Sequence, residues 1–347
     1  MDSGFKVIYE VQEVKRKPPA NMEDKDIGYF GGTLSKKIID TKLFYFDNME
    51  VDSSLILRRG KRVNMEISNI HNFNRAVYQY YKIRMLEKVG FRVKRKTVER
   101  GIWFIDDWSK GYFHWFFDAL PRLLIGIRFE PTFVLILPQN FKGIRFVEQS
   151  LKLLGIDESK VFYMGPWDVL EIRKLAYVTL TAQSGNYNGE VVQELRNLFL
   201  RSIRGRFGQV DSSSRSNRVF ISRRKAISRR IINEDEVVKV VESFGFKVYV
   251  FEELEWEEQV SIMYNSKFLV APHGAGLANM LFMNDGAGIL EFLDVDGYST
   301  NLCYFALSDI LNFDYYYQLC KYDEKTKGFW VDVGKLKANL NLMLRKD

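Results

Sequence analysis

Cysteine and histidine are scarce in this sequence. Among 347 residues there are two cysteines, Cys303 and Cys320, too few for a disulfide framework. Two reduced, buried thiols in a cytoplasmic protein are expected. The three histidines, His71, His114 and His273, leave little from which to build a structural zinc site. The opening stretch MDSGFKVIYEVQEVKRK holds no apolar core of signal-peptide length. No run approaches the ~18 uninterrupted apolar residues that a membrane-crossing helix needs. The expectation is a cytoplasmic chain, at most peripheral to a membrane. Internal repeats and low-complexity tracts are also lacking. With charged residues at 27%, the chain is not a disordered polyelectrolyte.

Apolar residues at 46% and aromatics at 15% can fill sizeable cores, and the length suits two domains. Lys and Arg number 51 against 44 Asp and Glu, an excess of 51 − 44 = +7. That modest excess fits phosphate-bearing ligands and does not require nucleic acid.

Gly205 to Asn217 is rich in Gly and Ser and reads as a linker. Beyond it, strands at 218–222, 247–251, 267–271 and 288–293 alternate with helices at 234–244, 256–265, 274–283 and 300–311. Such alternation implies crossover units and a parallel sheet of Rossmann type. In the first half, 43–46, 55–57, 102–105 and 133–137 read as strands, and 75–89 and 144–154 as helices. The domains expected are 1–210 and 211–330, followed by a helix over 331–347. Two Rossmann-like α/β domains facing a cleft is the fold class predicted.

Four clusters carry the chemistry. His273, Gly274, Ala275, Gly276 and Asn279 follow a buried strand and open a helix. Neither glycine carries a Cβ, and the helix start offers free N–H groups, a seat for phosphate. Asn279 stands where a dinucleotide fingerprint has Gly, which disfavours an NAD oxidoreductase. Arg223, Arg230 and Asn233 follow the first strand of the same domain; the two guanidinium groups can hold diphosphate oxygens in a fork, and Asn233-Glu234 can cap the helix that follows. His114 and Asp118 are four apart on an aromatic helix, a spacing that places both on one face. Either can accept a proton from a hydroxyl. Glu291, late in the fourth strand, can take the hydroxyls of a ribose. Asp294 with Asp296, or Asp106 with Asp107, could hold a divalent cation, but the arginines already supply positive charge, so no metal or other cofactor is expected. The basic runs Arg58–Arg62 and Arg92–Lys96 read as solvated faces, with a secondary role at an anionic membrane surface.

His114, Asp118, Pro121 and Arg122, then Ser222-Arg223, Arg230 and Asn233-Glu234, then His273-Gly274-Ala275-Gly276-Leu277 with Asn279, then Glu291, resemble in this order glycosyltransferase family 61. That family is also described as the DUF563 group of capsular-polysaccharide-type glycosyltransferases. The likeness spans about residues 100 to 295. It implies a GT-B fold, a nucleotide-sugar donor such as UDP-xylose or UDP-N-acetylglucosamine, inversion at the anomeric carbon and no required metal. A glycan or glycolipid acceptor would belong to the N-terminal domain, with Asp118 or His114 as the base. Arg223, Arg230, Asn233, the 273–276 turn, Asn279 and Glu291 would hold the donor. The alternative is a non-catalytic nucleotide- or polyanion-binding protein, which would need the arginines and the glycine turn but not the His114–Asp118 pair.

Overall fold

The computed structural model describes residues 4–60, 62, 63, 68, 70–90, 93–207, 217–294 and 301–345. Of the expected linker, residues 208–216 lie outside the described residues, as do Val295 and Asp296. Two compact units account for the fold, and neither is continuous in sequence. The first comprises residues 1–12, 38–184 and 190–195; the second comprises 13–37, 185–189 and 196–347. Each is an α/β unit with parallel strands flanked by helices, as the sequence predicts.

In the second unit, five strands run parallel in the spatial order Asp314–Asp323, Gly288–Asp294, Ser266–Pro272, Asn217–Ile221 and Phe246–Tyr249. Strand Gly288–Asp294 is buried along its whole length, the pattern of a parallel sheet covered on both faces. Helix Glu234–Ser243 opens with Glu234, Asp235 and Glu236, acids that suit the positive end of a helix, and buries Val237, Val240 and Val241. Helix Trp256–Tyr264 opens with a capping box between Glu255 and Glu258. Terminal helix Val333–Leu344 begins at Asp332, whose carboxylate accepts from the Gly334 and Lys335 N–H groups, and its Leu336, Leu340 and Met343 join the core of Phe220, Val241 and Phe292. Residues 13–37 belong here through specific bonds: Ala20 N–H to the Tyr315 carbonyl (2.8 Å) and Asn21 Nδ2 to the Tyr317 carbonyl (2.7 Å). Cys303 and Cys320 are free and buried.

In the first unit, strands Asp168–Val178, Lys94–Trp103, Val134–Pro138 and Val161–Met164 run parallel in that order, with Thr41–Asp52 antiparallel beside Asp168–Val178. Residues 55–57 are not the strand that their apolar character predicts. The Asp52 carboxylate accepts from the Ser54 N–H (2.9 Å), its carbonyl accepts from the Leu55 N–H (2.9 Å), and Leu55 turns into the left-handed region at φ 63°. A tight turn thus replaces the strand. The segment expected as a helix at 274–283 winds instead as a tighter 3₁₀ helix over Ala275–Phe282. None of the described helices is long and apolar enough to cross a membrane.

Candidate active site

In the second unit, strands ending at Ile221, Pro272 and Asp294 run in the same direction, so Ser222–Arg223, His273 and Asp294 emerge at one sheet edge. The Arg223 guanidinium lies directly on Gly274. A Cβ there would collide with it, approaching the guanidinium carbon to 2.8 Å. Glycine at 274 thus leaves the room in which the guanidinium lies, and a Cβ would make that side chain shift; the φ of 162° is itself extended backbone open to any residue. The arginine segment and the glycine turn, separate in sequence, meet as expected. Burial lowers the Arg223 pKa from the usual arginine value, and the neighbouring Arg229 pushes the same way. Two cations in each other's field form an arrangement that a bound anion relieves.

Arg229, not Arg230, is that second cation. It takes φ 56° with its N–H bonded to the Lys327 carbonyl (2.7 Å), and its charge also acts on Asp294, Cys303 and Tyr304. Arg230 is exposed in the edge strand Arg230–Ile231. Asn233 is likewise not placed to meet a donor. Its amide bonds the Val331 backbone in both directions (Nδ2 to the carbonyl 2.9 Å, Oδ1 from the N–H 3.1 Å). Nor does it cap the helix through its side chain. Asn279 is buried and bonds the Gly276 carbonyl (3.1 Å), fixing the turn. Ala275 is exposed and Gly276 half-buried beside Ile221.

Glu291 is completely buried, with both oxygens bonded: Oε1 to His273 Nδ1 (2.5 Å) and Oε2 accepting from the Tyr315 hydroxyl (2.7 Å). It is placed to orient His273, not to meet a ribose from solvent. A carboxylate only accepts, which assigns the hydrogen to Nδ1 and leaves Nε2 of His273 without a hydrogen-bond partner among the described residues. The ring packs 5.2 Å from that of Tyr304. Burial raises the Asp294 pKa, against the opposing pull of His273 and Arg229.

The first unit holds a second pair of this kind. Residues Tyr112 to Phe129 form one helix interrupted by a wide turn over Trp115–Ala119, where the Leu120 N–H reaches back five residues to the Trp115 carbonyl. Such π-type turns often occur at functional positions. His114 Nδ1 lies 2.6 Å from Asp118 Oδ2, which also accepts from the Ser184 hydroxyl at 3.0 Å. Asp118 is buried, while a quarter of the His114 side chain is exposed (26%). Here too Nδ1 carries the hydrogen and Nε2 is left with a lone pair. Ser184 gives no local sequence signal. It comes from the loop after strand Asp168–Val178, which pairs with the strand leading to His114. Arg122 is fully buried, donating to the Val178 carbonyl (2.9 Å) and facing Asp106 (3.5 Å), so it is part of the scaffold.

His71, Asp106 and Asp107 form a group whose ligand atoms lie within 4.8 Å of one another. All three already have partners. Asp106 bonds Ser109 and the Trp108 N–H. Burial tends to raise the Asp107 pKa, but bonds from the His71 and Asn72 N–H groups and the His71 ring bring it below the ordinary value.

Residues 112–290 match the family described as Glycosyltransferase 61. The EGF domain-specific O-linked N-acetylglucosamine transferase of Gallus gallus is 35% identical over 103 residues, 28% of this chain and 19% of that protein. Its Mus musculus counterpart is 33% identical over the same coverage. The xylan glycosyltransferase MUCI21 of Arabidopsis thaliana is 24% identical over 205 residues, 52% of this chain and 42% of that protein. The aligned stretch thus spans about a fifth of the length of the first relatives. The family match takes in more than half of the chain, with His114, Asp118, Arg223 and the 273–276 turn inside it, and on that ground the chain belongs to glycosyltransferase family 61.

Proposed function

We propose that the chain transfers one sugar from a nucleotide diphosphate donor, UDP-linked, to a glycan hydroxyl, with inversion and without a required metal. The observation that carries this reading is the seat of Arg223 on Gly274 at the strand edge. Fixed cations there would meet the diphosphate and stabilise the charge it gains on leaving, which is often the largest catalytic effect. Arg229 and His273 would complete that seat, with Glu291 holding the His273 ring. The relatives' names support a sugar donor carrying N-acetylglucosamine or a xylan-directed sugar.

For the base we assign His114, with Asp118 and Ser184 as positioning residues. The imidazole keeps a free Nε2 and partial exposure, whereas the Asp118 oxygen that meets it is already bonded twice. His114 would take the proton of the attacking hydroxyl as its oxygen bonds the anomeric carbon and the bond from that carbon to the diphosphate breaks.

Thermal-shift titration with UDP, GDP, CMP and NAD tests the ligand class. Stabilisation by UDP is expected, and stabilisation by NAD alone would overturn the reading. UDP binding with no release of UDP from UDP-sugars in the presence of glycan acceptors would favour the non-catalytic alternative. EDTA should leave turnover unchanged; loss restored by manganese would contradict metal independence.

A further inference from the structure

A cavity of about 410 Å³ opens at the carboxyl edge of the first unit's parallel strands. It lies within the roughly 300–1,000 Å³ of small-molecule sites. Buried Ala76, Phe141 and Met164 line it together with the exposed cations Arg75 and Lys110. Neither cation has an ion-pair partner among the described residues. The two acids in the wall are already satisfied. Asp106 faces buried Arg122, and Asp107 is held by two backbone N–H groups and the His71 ring. The charge left for a ligand is therefore positive. Leu55, also in the wall, keeps its left-handed φ of 63°, a strained conformation of the kind that collects at functional sites. Asp106, Asp107 and Lys110 belong to the loop of Trp108, whose ring lies 4.9 Å from that of His114.

We infer that this cavity binds an oxyanion, a carboxylate or a phosphate, borne by the acceptor glycan next to the sugar whose hydroxyl His114 deprotonates. The inference rests on the transfer reaction proposed above for the identity of the ligand as acceptor. Arg75 would meet the oxyanion through its planar fork and Lys110 as a point charge.

Calorimetric binding of three versions of one β-linked disaccharide, ending in glucuronate, glucose or glucose 6-phosphate, tests it. The intact chain is compared with Arg75→Gln/Lys110→Gln. One of the acidic sugars should bind about 10-fold more tightly than the neutral one, as two charge-assisted contacts allow. The double variant should lose that preference while its UDP affinity and melting temperature stay unchanged, and added salt should weaken it in the intact chain. A preference for glucuronate or for the phosphate identifies the source of the oxyanion. Equal or absent binding of all three, or a preference that survives in the double variant, would overturn the inference. Acid-selective binding with no transfer to any of the three would keep the oxyanion site and remove the transferase reading.

Discussion

Each unit contains a histidine locked to a buried carboxylate that a hydroxyl also bonds: His114, Asp118 and Ser184 in one; His273, Glu291 and Tyr315 in the other. The chemistry of the pair is the same, and the means of building it differ. His114 and Asp118 share one helix and meet across a wide turn, whereas His273 and Glu291 come from neighbouring parallel strands in which Glu291 pairs with Ala271. The surroundings differ more. Trp108 and Phe113 pack on His114, a setting of rings. Arg229 and Arg223 attend the second site, a setting of cations. A histidine with a free nitrogen among rings can take a proton, while at the second site the guanidinium groups supply the positive charge that can help neutralise an anion. The role follows from the neighbours, not from the pair.

The comparison breaks first at His114. Replacing it with Ala should lower turnover about 10²–10⁴-fold, the usual worth of a general base, while UDP affinity by calorimetry stays unchanged. Full turnover would move the base elsewhere. Arg223→Ala should cost about 10²–10³-fold in turnover and weaken UDP binding as well. Arg230→Ala is the internal control and should change neither; a loss equal to that of Arg223→Ala would return Arg230 to the site. The two orienting acids then separate the pairs. Asp118→Asn should lower turnover about 10-fold or more with UDP affinity kept, because the amide can hold the wrong tautomer. Glu291→Gln should weaken UDP binding by a smaller factor. Reversal of those two effects would exchange the roles assigned to the units.

Much of the second unit was legible because its strands are short apolar runs at regular spacing. The predicted runs close at Ser222, Ala271 and Leu293, and the parallel pairing brings the residues that follow to one edge. The choice between Arg229 and Arg230 was not legible. It turns on the positive φ of Arg229, fixed by the Lys327 carbonyl nearly a hundred positions away in the chain. Asn233 was misread for a similar reason, since its partner is the Val331 backbone. Glu291 was read at the end of its strand, whereas it is buried at the middle of Gly288–Asp294, and the Tyr315 hydroxyl that occupies it comes from strand Asp314–Asp323, which the sequence reading missed. In the first unit the four-residue spacing of His114 and Asp118 gave the pair. Nothing local marks Ser184 or Arg75, because each meets its neighbours only where distant strands end side by side.

The smallest expected effect concerns the acid that shares the cationic setting. Asp294 closes its strand with little exposure, 5%, and burial raises its pKa above the ordinary 3.8 despite His273 and Arg229. The folded chain therefore holds this proton more tightly than the unfolded chain does. The stability this gives is full below pH 3.8 and is lost as pH rises through the raised value. Above that value the ionised carboxylate is a cost that folding carries. Asp294→Asn removes the charge at nearly constant volume, so the melting temperature at pH 7 should rise, and the gain should shrink as pH falls toward 4. A lower melting temperature at pH 7 would mean that the attraction of His273 and Arg229 outweighs burial, and a gain independent of pH would assign the effect to packing. The first of those outcomes would also weaken the contrast between the two settings, because the cations around His273 would then already have their anion in Asp294.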